Sequence, residues 1–250
     1  MNKNLDYLGH AQDFTEKNYQ SILKKLKKTH NFIFFNELST HKKSVLLRHD
    51  CDFSLNRALS IAKIESSLGI SSTFFINPHS DFYNIFEKSQ TEIIFQIINL
   101  GHQLGLHFDC EYYGISSAKD LENEISYERS VLNKFFKADI LAFSFHNPTK
   151  FELSLEDDSY GGLISTYSKL IKDNFEYCSD SNGYWRHSRL IDFLNQNLES
   201  NLQILTHPGW WLKNPIQPEK RIYRALFGRA KSNFQNYKQL LNKMNRKNIS

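Results

Sequence analysis

The chain has 250 residues, of which 40% are hydrophobic and 23% charged, a composition typical of a soluble globular domain with a sizeable core. No stretch approaches the roughly 18 to 20 apolar residues of a membrane-spanning helix. Residues 1–13 contain no apolar run, so we expect no signal peptide and a cytoplasmic protein. The three cysteines lack CxxC spacing, which favours reduced thiols over a disulfide framework or a cysteine zinc site.

The hydrophobic pattern predicts alternating helices and strands along the chain. In chain order we expect a helix over 15–28, a strand over 44–49, a helix over 55–68, a strand over 72–76, a helix over 91–100, a strand over 103–108, a helix over 117–137, strands over 140–145 and 176–179, a helix over 188–198, a strand over 202–206 and a helix over 221–245. This alternation is typical of parallel strands joined by crossover helices, in a barrel or an open sheet.

The net charge of +4 is distributed unevenly. Residues 217–250 contain nine Lys or Arg and one acid, Glu219, so this tail carries +8 and the rest of the chain, by difference, −4. We therefore divide the chain into an N-terminal helical segment over 1–43 packed on the main domain, the main domain over 44–216, and a basic helical tail over 217–250. Two interpretations of the tail are open. Either Ile222, Leu226 and Phe227 dock on the domain and the charges are solvated, or the cations face an anionic partner.

Ionisable side chains follow most of the predicted strands. They are Asp50 and Asp52 after the first strand, His107, Asp109 and Glu111 after the third, His146 after the fourth, Asp180 after the short fifth and His207 after the last. In a parallel α/β barrel these strand ends meet on the face that carries the active site. The repeated pattern of Asp and His therefore favours a barrel with a polar site over a purely structural role.

These residue types suit a divalent metal ion. Catalytic zinc takes His nitrogen and carboxylate oxygen from three protein ligands and keeps one position open. Iron, manganese, cobalt and nickel accept the same donors. Such an ion would acidify a water molecule and polarise a carbonyl group, while a second carboxylate serves as base and a free His as acid.

At these residues the sequence resembles the polysaccharide deacetylase family, also called carbohydrate esterase family 4 or the NodB-homology domain. The matching segments are Arg48-His49-Asp50-Cys51-Asp52, Ser72-Thr73-Phe74-Phe75, Gly101-His102-Gln103-Leu104-Gly105-Leu106-His107 and Leu205-Thr206-His207. The resemblance is greatest to the branch with an Arg-His-Asp-x-Asp first motif, often encoded near genes of surface-glycan synthesis. It implies a deformed (β/α) barrel with parallel strands in a single domain, and metal-dependent removal of acetyl groups from glycans.

The resemblance also implies roles for individual residues. Asp50 would be the catalytic base, Asp52 and His107 metal ligands, and His207 the general acid, with Asp180 as the acidic residue that supports the site. We further assign Arg48, Trp185 and Trp210 to substrate binding.

The chain departs from the family pattern in two places. Cys51 separates two aspartates that are usually adjacent, so base and ligand could be exchanged between Asp50 and Asp52. The family's second His would stand four residues after His107, where this chain has Glu111. For the third metal ligand we prefer His146, followed by Glu111 and Asp109.

The sequence thus predicts a metal-dependent hydrolase, most simply with Zn²⁺, that removes an acyl group, N-acetyl first, from an amino sugar. A cytoplasmic enzyme would act on a sugar nucleotide or a lipid-linked glycan precursor, with a weak membrane-surface contact through the basic tail and no nucleic-acid partner. Two alternatives remain open: a hydrolase of another C–N bond, such as a formyl amide or cyclic imide, and a catalytically silent glycan-binding or scaffold barrel.

Overall fold

A nine-stranded sheet runs through the computed structural model, which describes residues 11–38, 43–185 and 188–247. The strands are β1 (Asn31–Ile33), β2 (Ser44–Cys51), β3 (Thr73–Ile76), β4 (Gln103–Phe108), β5 (Ala142–Phe145), β6 (Ser159–Tyr160), β7 (Leu163–Ser165), β8 (Glu176–Ser179) and β9 (Leu202–Thr206). Their spatial order is β6-β7-β5-β4-β3-β2-β9-β8, with β1 added beside the start of β2. All pairings are parallel except that of β6 with β7.

The sheet curls into a half-barrel, and its two ends, β6 and β8, are not hydrogen-bonded to each other in the described part of the chain. The prediction of a deformed, mainly parallel (β/α) barrel in a single domain is confirmed. The helices are α1 (Glu16–Leu26), α2 (Leu55–Ser67), α3 (Lys88–Asn99), α4 (Cys110–Tyr113), α5 (Ala118–Phe136), α6 (Lys150–Leu153), α7 (Lys169–Asn174), α8 (Leu190–Gln196) and α9 (Pro218–Lys243), with 3-10 turns at Phe35–Glu37, Ser181–Gly183 and Pro208–Trp210.

The helix starts follow from local capping. The Thr15 hydroxyl accepts from the backbone amide of Asn18 at 3.2 Å, and the Ser117 hydroxyl accepts from that of Asp120, also at 3.2 Å. Each bond satisfies an amide that the first helical turn leaves without a partner. The predicted starts of α1 and α5 therefore differ from the observed ones by a single residue.

Strand β2 lies in the middle of the sheet, between β3 and β9, and all eight of its residues are buried. Leu46 and Leu47 pack in the apolar core, while Arg48, His49 and Asp50 bring ionisable groups into the interior. Buried charges are tolerated only when they are paired and hydrogen-bonded. The partners of these three side chains therefore define the polar centre of the domain.

The two flanking segments are attached differently. Helix α1 buries Tyr19, Ile22, Leu23 and Leu26 in the main core, as the period of its sequence predicts. Helix α9 has one buried residue, Arg221. The interpretation in which Leu226 and Phe227 dock on the domain is wrong, because both side chains are exposed. None of the described helices is long and apolar enough to cross a membrane.

Candidate functional site

Three side chains from three strand ends converge on one point. Asp52 follows β2, His107 lies within β4 and His146 follows β5. Nε2 of His107 lies 3.0 Å from Oδ1 of Asp52 and 3.1 Å from Nδ1 of His146, which in turn lies 3.7 Å from the same Asp52 oxygen. The ends of β2, β4 and β5 therefore bring these three side chains together.

The Asp52, His107 and His146 side chains fit a divalent metal ion in chemistry and in spacing. Tetrahedral zinc with bonds of about 2.0–2.1 Å separates neighbouring ligand atoms by about 3.3 Å, within the range of the three distances in this group. His107 is oriented for this role, because its Nδ1 lies 2.8 Å from the Ser144 hydroxyl and its Nε2 points to the other donors. A second partner of this kind fixes the orientation and tautomer of a metal-binding imidazole.

The electrostatics of the group also favour a cation. Burial alone would raise the pKa of Asp52, but the charge of His207 and hydrogen bonds from His107 and His146 hold that pKa well below its usual range. Burial would lower the pKa of His146, yet the hydrogen bond to Asp52 raises it. The carboxylate is thus ionised and accessible, with about a quarter of its side chain exposed.

Asp50 lies beside the group and is held by Arg48. An Arg48 Nη2 hydrogen donates to Oδ2 of Asp50 at 2.8 Å, and Ser144 donates to Oδ1 at 3.2 Å. Burial alone would raise the pKa of Asp50, but the Arg48 guanidinium lowers it. Arg48 is itself fixed by Thr166 at 2.6 Å and by the Tyr167 hydroxyl at 3.3 Å.

On the opposite side, His207 is held by Asp180. The buried Asp180 carboxylate accepts from His207 Nδ1 at 2.6 Å, from the His207 backbone amide at 2.9 Å and from Trp211 Nε1 at 2.7 Å. Burial would lower the pKa of His207, but the charges of Asp52 and Asp180 raise it to about 9. The free nitrogen of His207, Nε2, lies 3.8 Å from Asp52.

These groups open into one cleft of about 490 Å³. Asp50, Asp52, His107, His146 and His207 lie in its wall, and aromatic side chains complete it at Phe145, Tyr167 and Tyr177. A cleft of this size and mixed lining is typical of small-molecule sites. The space between Asp50 and His207 is therefore open to a ligand that reaches the three donor side chains.

The other two candidates for the third ligand lie elsewhere. Asp109 caps the short helix α4, where its Oδ1 accepts from the amides of Glu111 and Tyr112 at 3.0 and 3.2 Å. Glu111 is exposed on that helix. Among the described residues, neither carboxylate joins the group of Asp52, His107 and His146.

The assignment of Arg48, Trp185 and Trp210 to substrate binding needs correction. Arg48 is fully buried and positions Asp50, so it has no surface left for substrate. Trp185 stacks on Phe14 with ring centres 5.0 Å apart and donates to Asp13 at 3.0 Å, which makes it a core residue. Trp210 packs against Phe53 at 4.6 Å and does not line the cleft.

Three supporting residues were missed by sequence reasoning. Ser144 links His107 to Asp50, Tyr167 holds Arg48, and Trp211 donates to Asp180. Ser144 alone left a signal, since it is a polar residue within the apolar run of β5. The contacts of Tyr167 and Trp211 depend on the packing of segments that are distant in sequence, so no local sequence pattern predicts them.

No protein-family model matches the chain, and no curated protein sequence matches it. Among solved structures the chain is similar to a family 4 carbohydrate esterase from Bacillus anthracis, with 14% identity, a TM-score of 0.45 and coverage of 84% of this chain and 86% of that one. It is also similar to the chitin deacetylase of the fungal pathogen Colletotrichum lindemuthianum, with 15% identity, a TM-score of 0.44 and coverage of 79% and 86%. A third similar structure is a family 4 pseudoenzyme from Bacillus anthracis, with 13% identity, a TM-score of 0.43 and coverage of 85% and 75%.

The similar structures thus come from the family that the sequence motifs resemble. Their identities are low and their TM-scores lie below 0.5, so these likenesses carry no weight for the activity of this chain.

Proposed function

We propose that this protein is a divalent-metal-dependent hydrolase of the polysaccharide deacetylase type, which removes an acyl group from an amino sugar. The observation that carries the proposal is the arrangement of Asp52, His107 and His146 in one cleft between a fixed carboxylate, Asp50, and a carboxylate-held imidazole, His207. The motif resemblance makes N-acetyl the first choice for the acyl group.

Asp52, His107 and His146 would hold the metal ion. When bound, a Zn²⁺ or similar ion supplies an acidified water molecule and polarises the acyl carbonyl group. Asp50 faces the cleft with its carboxylate ionised and its position fixed by Arg48, so it can accept a proton from the attacking water. The Ser144 hydroxyl bridges Asp50 and His107, which fixes the position of the base relative to the metal ligand.

His207 is placed to act as the general acid. Its Nδ1 is occupied by Asp180, which leaves Nε2 free to donate a proton to the departing nitrogen. The Asp180 carboxylate at Nδ1 raises the pKa of the imidazole, which favours its protonated form before the bond to the leaving group breaks. Asp180 touches no position open to substrate and is therefore a positioning residue.

For the substrate we propose a sugar nucleotide or a lipid-linked glycan precursor handled in the cytoplasm, as part of surface-glycan synthesis. The volume of the cleft and its aromatic side chains, Tyr167 and Tyr177, suit a single sugar ring. A lipid-linked precursor would also suit a weak contact between the basic tail and a membrane surface.

The test combines metal analysis with a substrate screen. The purified protein should bind about one equivalent of metal and release acetate or formate from some of a panel of acylated sugar nucleotides. Asp52→Asn should lose both metal and turnover, whereas the exposed Asp81→Asn should keep both. An unsubstituted protein that takes up no metal from Zn²⁺, Co²⁺, Mn²⁺, Ni²⁺ or Fe²⁺ would rule out the proposal in favour of a silent domain.

A further inference from the structure

Helix α9 turns its apolar side chains away from the domain. Of the sixteen large hydrophobic residues exposed in the described part of the chain, seven lie between positions 223 and 244. They are Tyr223, Leu226, Phe227, Phe234, Tyr237, Leu240 and Met244, with exposed fractions between 46 and 61%. A helix on a globular domain ordinarily buries such residues and exposes its polar face.

These residues form one stripe rather than a scatter. At about 3.6 residues per turn, positions three, four and seven apart fall on the same side of a helix. Phe227 and Phe234 are seven positions apart, and Tyr223, Leu226, Tyr237, Leu240 and Met244 fall beside them on the same side. We call these seven residues the outer stripe, which runs along most of the 26-residue helix.

The side of α9 that faces the domain is polar. The one buried residue of the helix, Arg221, donates from Nε to the Gly209 carbonyl at 2.7 Å, and Arg229 pairs with Glu87 at 2.9 Å. Between helix and domain lies a pocket of about 230 Å³, partly lined by Gly228 and Ser232. The orientation of α9 is thus set by polar contacts, and the outer stripe is not the surface by which it attaches.

Positive charge accompanies the outer stripe. Residues 217–250 contain nine Lys or Arg against one acid, and Lys220, Lys231 and Lys238 fall along one edge of the stripe. An apolar stripe bordered by cations, on a helix of 20 to 30 residues, is the pattern of helices that lie in the interface of an anionic membrane. A second copy of this chain would bring its own flanking lysines against Lys220, Lys231 and Lys238, so charge disfavours pairing of two such helices through the outer stripe.

We propose that α9 is an interfacial helix that binds the surface of an anionic lipid bilayer, with the outer stripe inserted between the lipids and the flanking lysines on the head groups. The attraction to the lipids has two parts, burial of aromatic and aliphatic surface and attraction between lysines and lipid phosphates. The first is insensitive to salt and the second is screened by it. The proposal does not depend on the chemistry of the cleft.

Vesicle sedimentation of the full chain tests the proposal. The protein should pellet with vesicles that contain phosphatidylglycerol at low salt, less so at high salt, and less still with vesicles of phosphatidylcholine alone. Failure to pellet with the anionic vesicles at low salt would overturn it. Equal binding to both vesicle types, without salt dependence, would overturn the part assigned to the lysines.

Paired variants separate the two contributions. Phe227→Ser with Phe234→Ser should weaken binding by at least roughly tenfold, and Lys231→Gln with Lys238→Gln by roughly 30-fold. Two control pairs, Phe86→Ser with Phe135→Ser and Lys63→Gln with Lys119→Gln, alter similar residues outside α9 and should bind as the unsubstituted protein does. Unchanged binding in either α9 pair overturns the assignment of that contribution.

Light scattering of the same proteins in solution decides between a membrane and a second copy. A monomer whose vesicle binding falls in the phenylalanine pair supports the proposal. A dimer that becomes a monomer in that pair would make the outer stripe a protein interface and would refute membrane docking.

Discussion

Asp180→Asn should separate the positioning of the general acid from the binding of the metal ion. The carboxylate is fully buried and accepts from three donors, namely the backbone amide and Nδ1 of His207 and Nε1 of Trp211. Asparagine has the same shape but one oxygen fewer, so its NH₂ group must face one of these donors. If it faces Trp211 or the backbone amide, that donor loses its acceptor beside the buried side chain, and if it faces Nδ1, His207 must take the tautomer in which Nδ1 accepts.

The expected loss of stability follows from the number of donors left without an acceptor. A buried donor without a partner costs about 1–3 kcal/mol, so the free energy of unfolding should fall by that amount. The negative charge beside His207 is lost too, and this charge helps to raise the pKa of the imidazole to about 9. Turnover should fall by about 10²–10⁴, the usual contribution of a general acid. Metal content should not change, because Asp180 reaches the metal-binding group only through His207.

Three measurements on one preparation test this reasoning: urea unfolding followed by tryptophan fluorescence, metal content by elemental analysis, and kcat on the substrate found in the screen. Asp192→Asn, an exposed aspartate on α8, is the matched control and should resemble the unsubstituted protein in all three. Turnover equal to that of the control would remove Asp180 from the mechanism. Loss of metal with the fold intact would show instead that Asp180 supports a ligand.

Three further tests use substitutions at His146, Arg48 and Glu65. His146→Ala should release the metal while Glu111→Gln retains it, and elemental analysis showing the reverse would move the third ligand to α4. Arg48→Met should lower the free energy of unfolding by about 3–5 kcal/mol, because it leaves Asp50 buried without its partner. Since Arg48 lowers the pKa of Asp50 in the folded state, this loss should be full above about pH 4 and shrink as the pH falls, which urea titrations at several pH values would detect. Glu65→Gln should lower the melting temperature without changing metal content, and unaltered melting would contradict a structural role.

The last of these predictions concerns a second buried polar network, behind β2. The Glu65 carboxylate on α2 accepts from Nε2 of His49 at 2.7 Å, from the Ser72 hydroxyl at 2.5 Å and from the Tyr19 hydroxyl on α1. All of its partners are buried, and none faces the cleft. His49, next to the motif aspartate in sequence, is therefore part of the support that fixes α1 and α2 to the sheet.

Much of the fold was predictable because its elements are long enough to show their period. The strands at Gln103–Phe108 and Leu202–Thr206 have the predicted bounds, and α1, α2 and α5 differ from theirs by one or two residues. The strands that were missed, β1, β6 and β7, contain only two or three residues. So few residues give no alternation to detect, and their pairing is decided by the strands beside them.

The site was predictable as a set of strand ends but not as a set of contacts. Parallel strands bring their ends to one edge, so His107 and His146 could be expected near Asp52 from the order of elements alone. The sequence does not predict the hydrogen bonds between these side chains, because they depend on strand register and on loops such as the one that contains Tyr167. For the same reason the sequence-based assignment of Trp185 and Trp210 to sugar binding is wrong, because their rings pack against Phe14 and Phe53.

The position of Cys51 between two aspartates, a departure from the usual adjacent pair, has a simple explanation in the period of a strand. Successive side chains of a strand point to opposite faces, so residues 48, 50 and 52 share one side. On that side Arg48 bonds Asp50 at 2.8 Å, and Asp52 joins His107 at 3.0 Å just past the end of β2. His49 points the other way, to Glu65 behind the sheet. The intervening cysteine therefore keeps both carboxylates in the cleft, Asp50 beside Arg48 and Asp52 beside the imidazoles of His107 and His146.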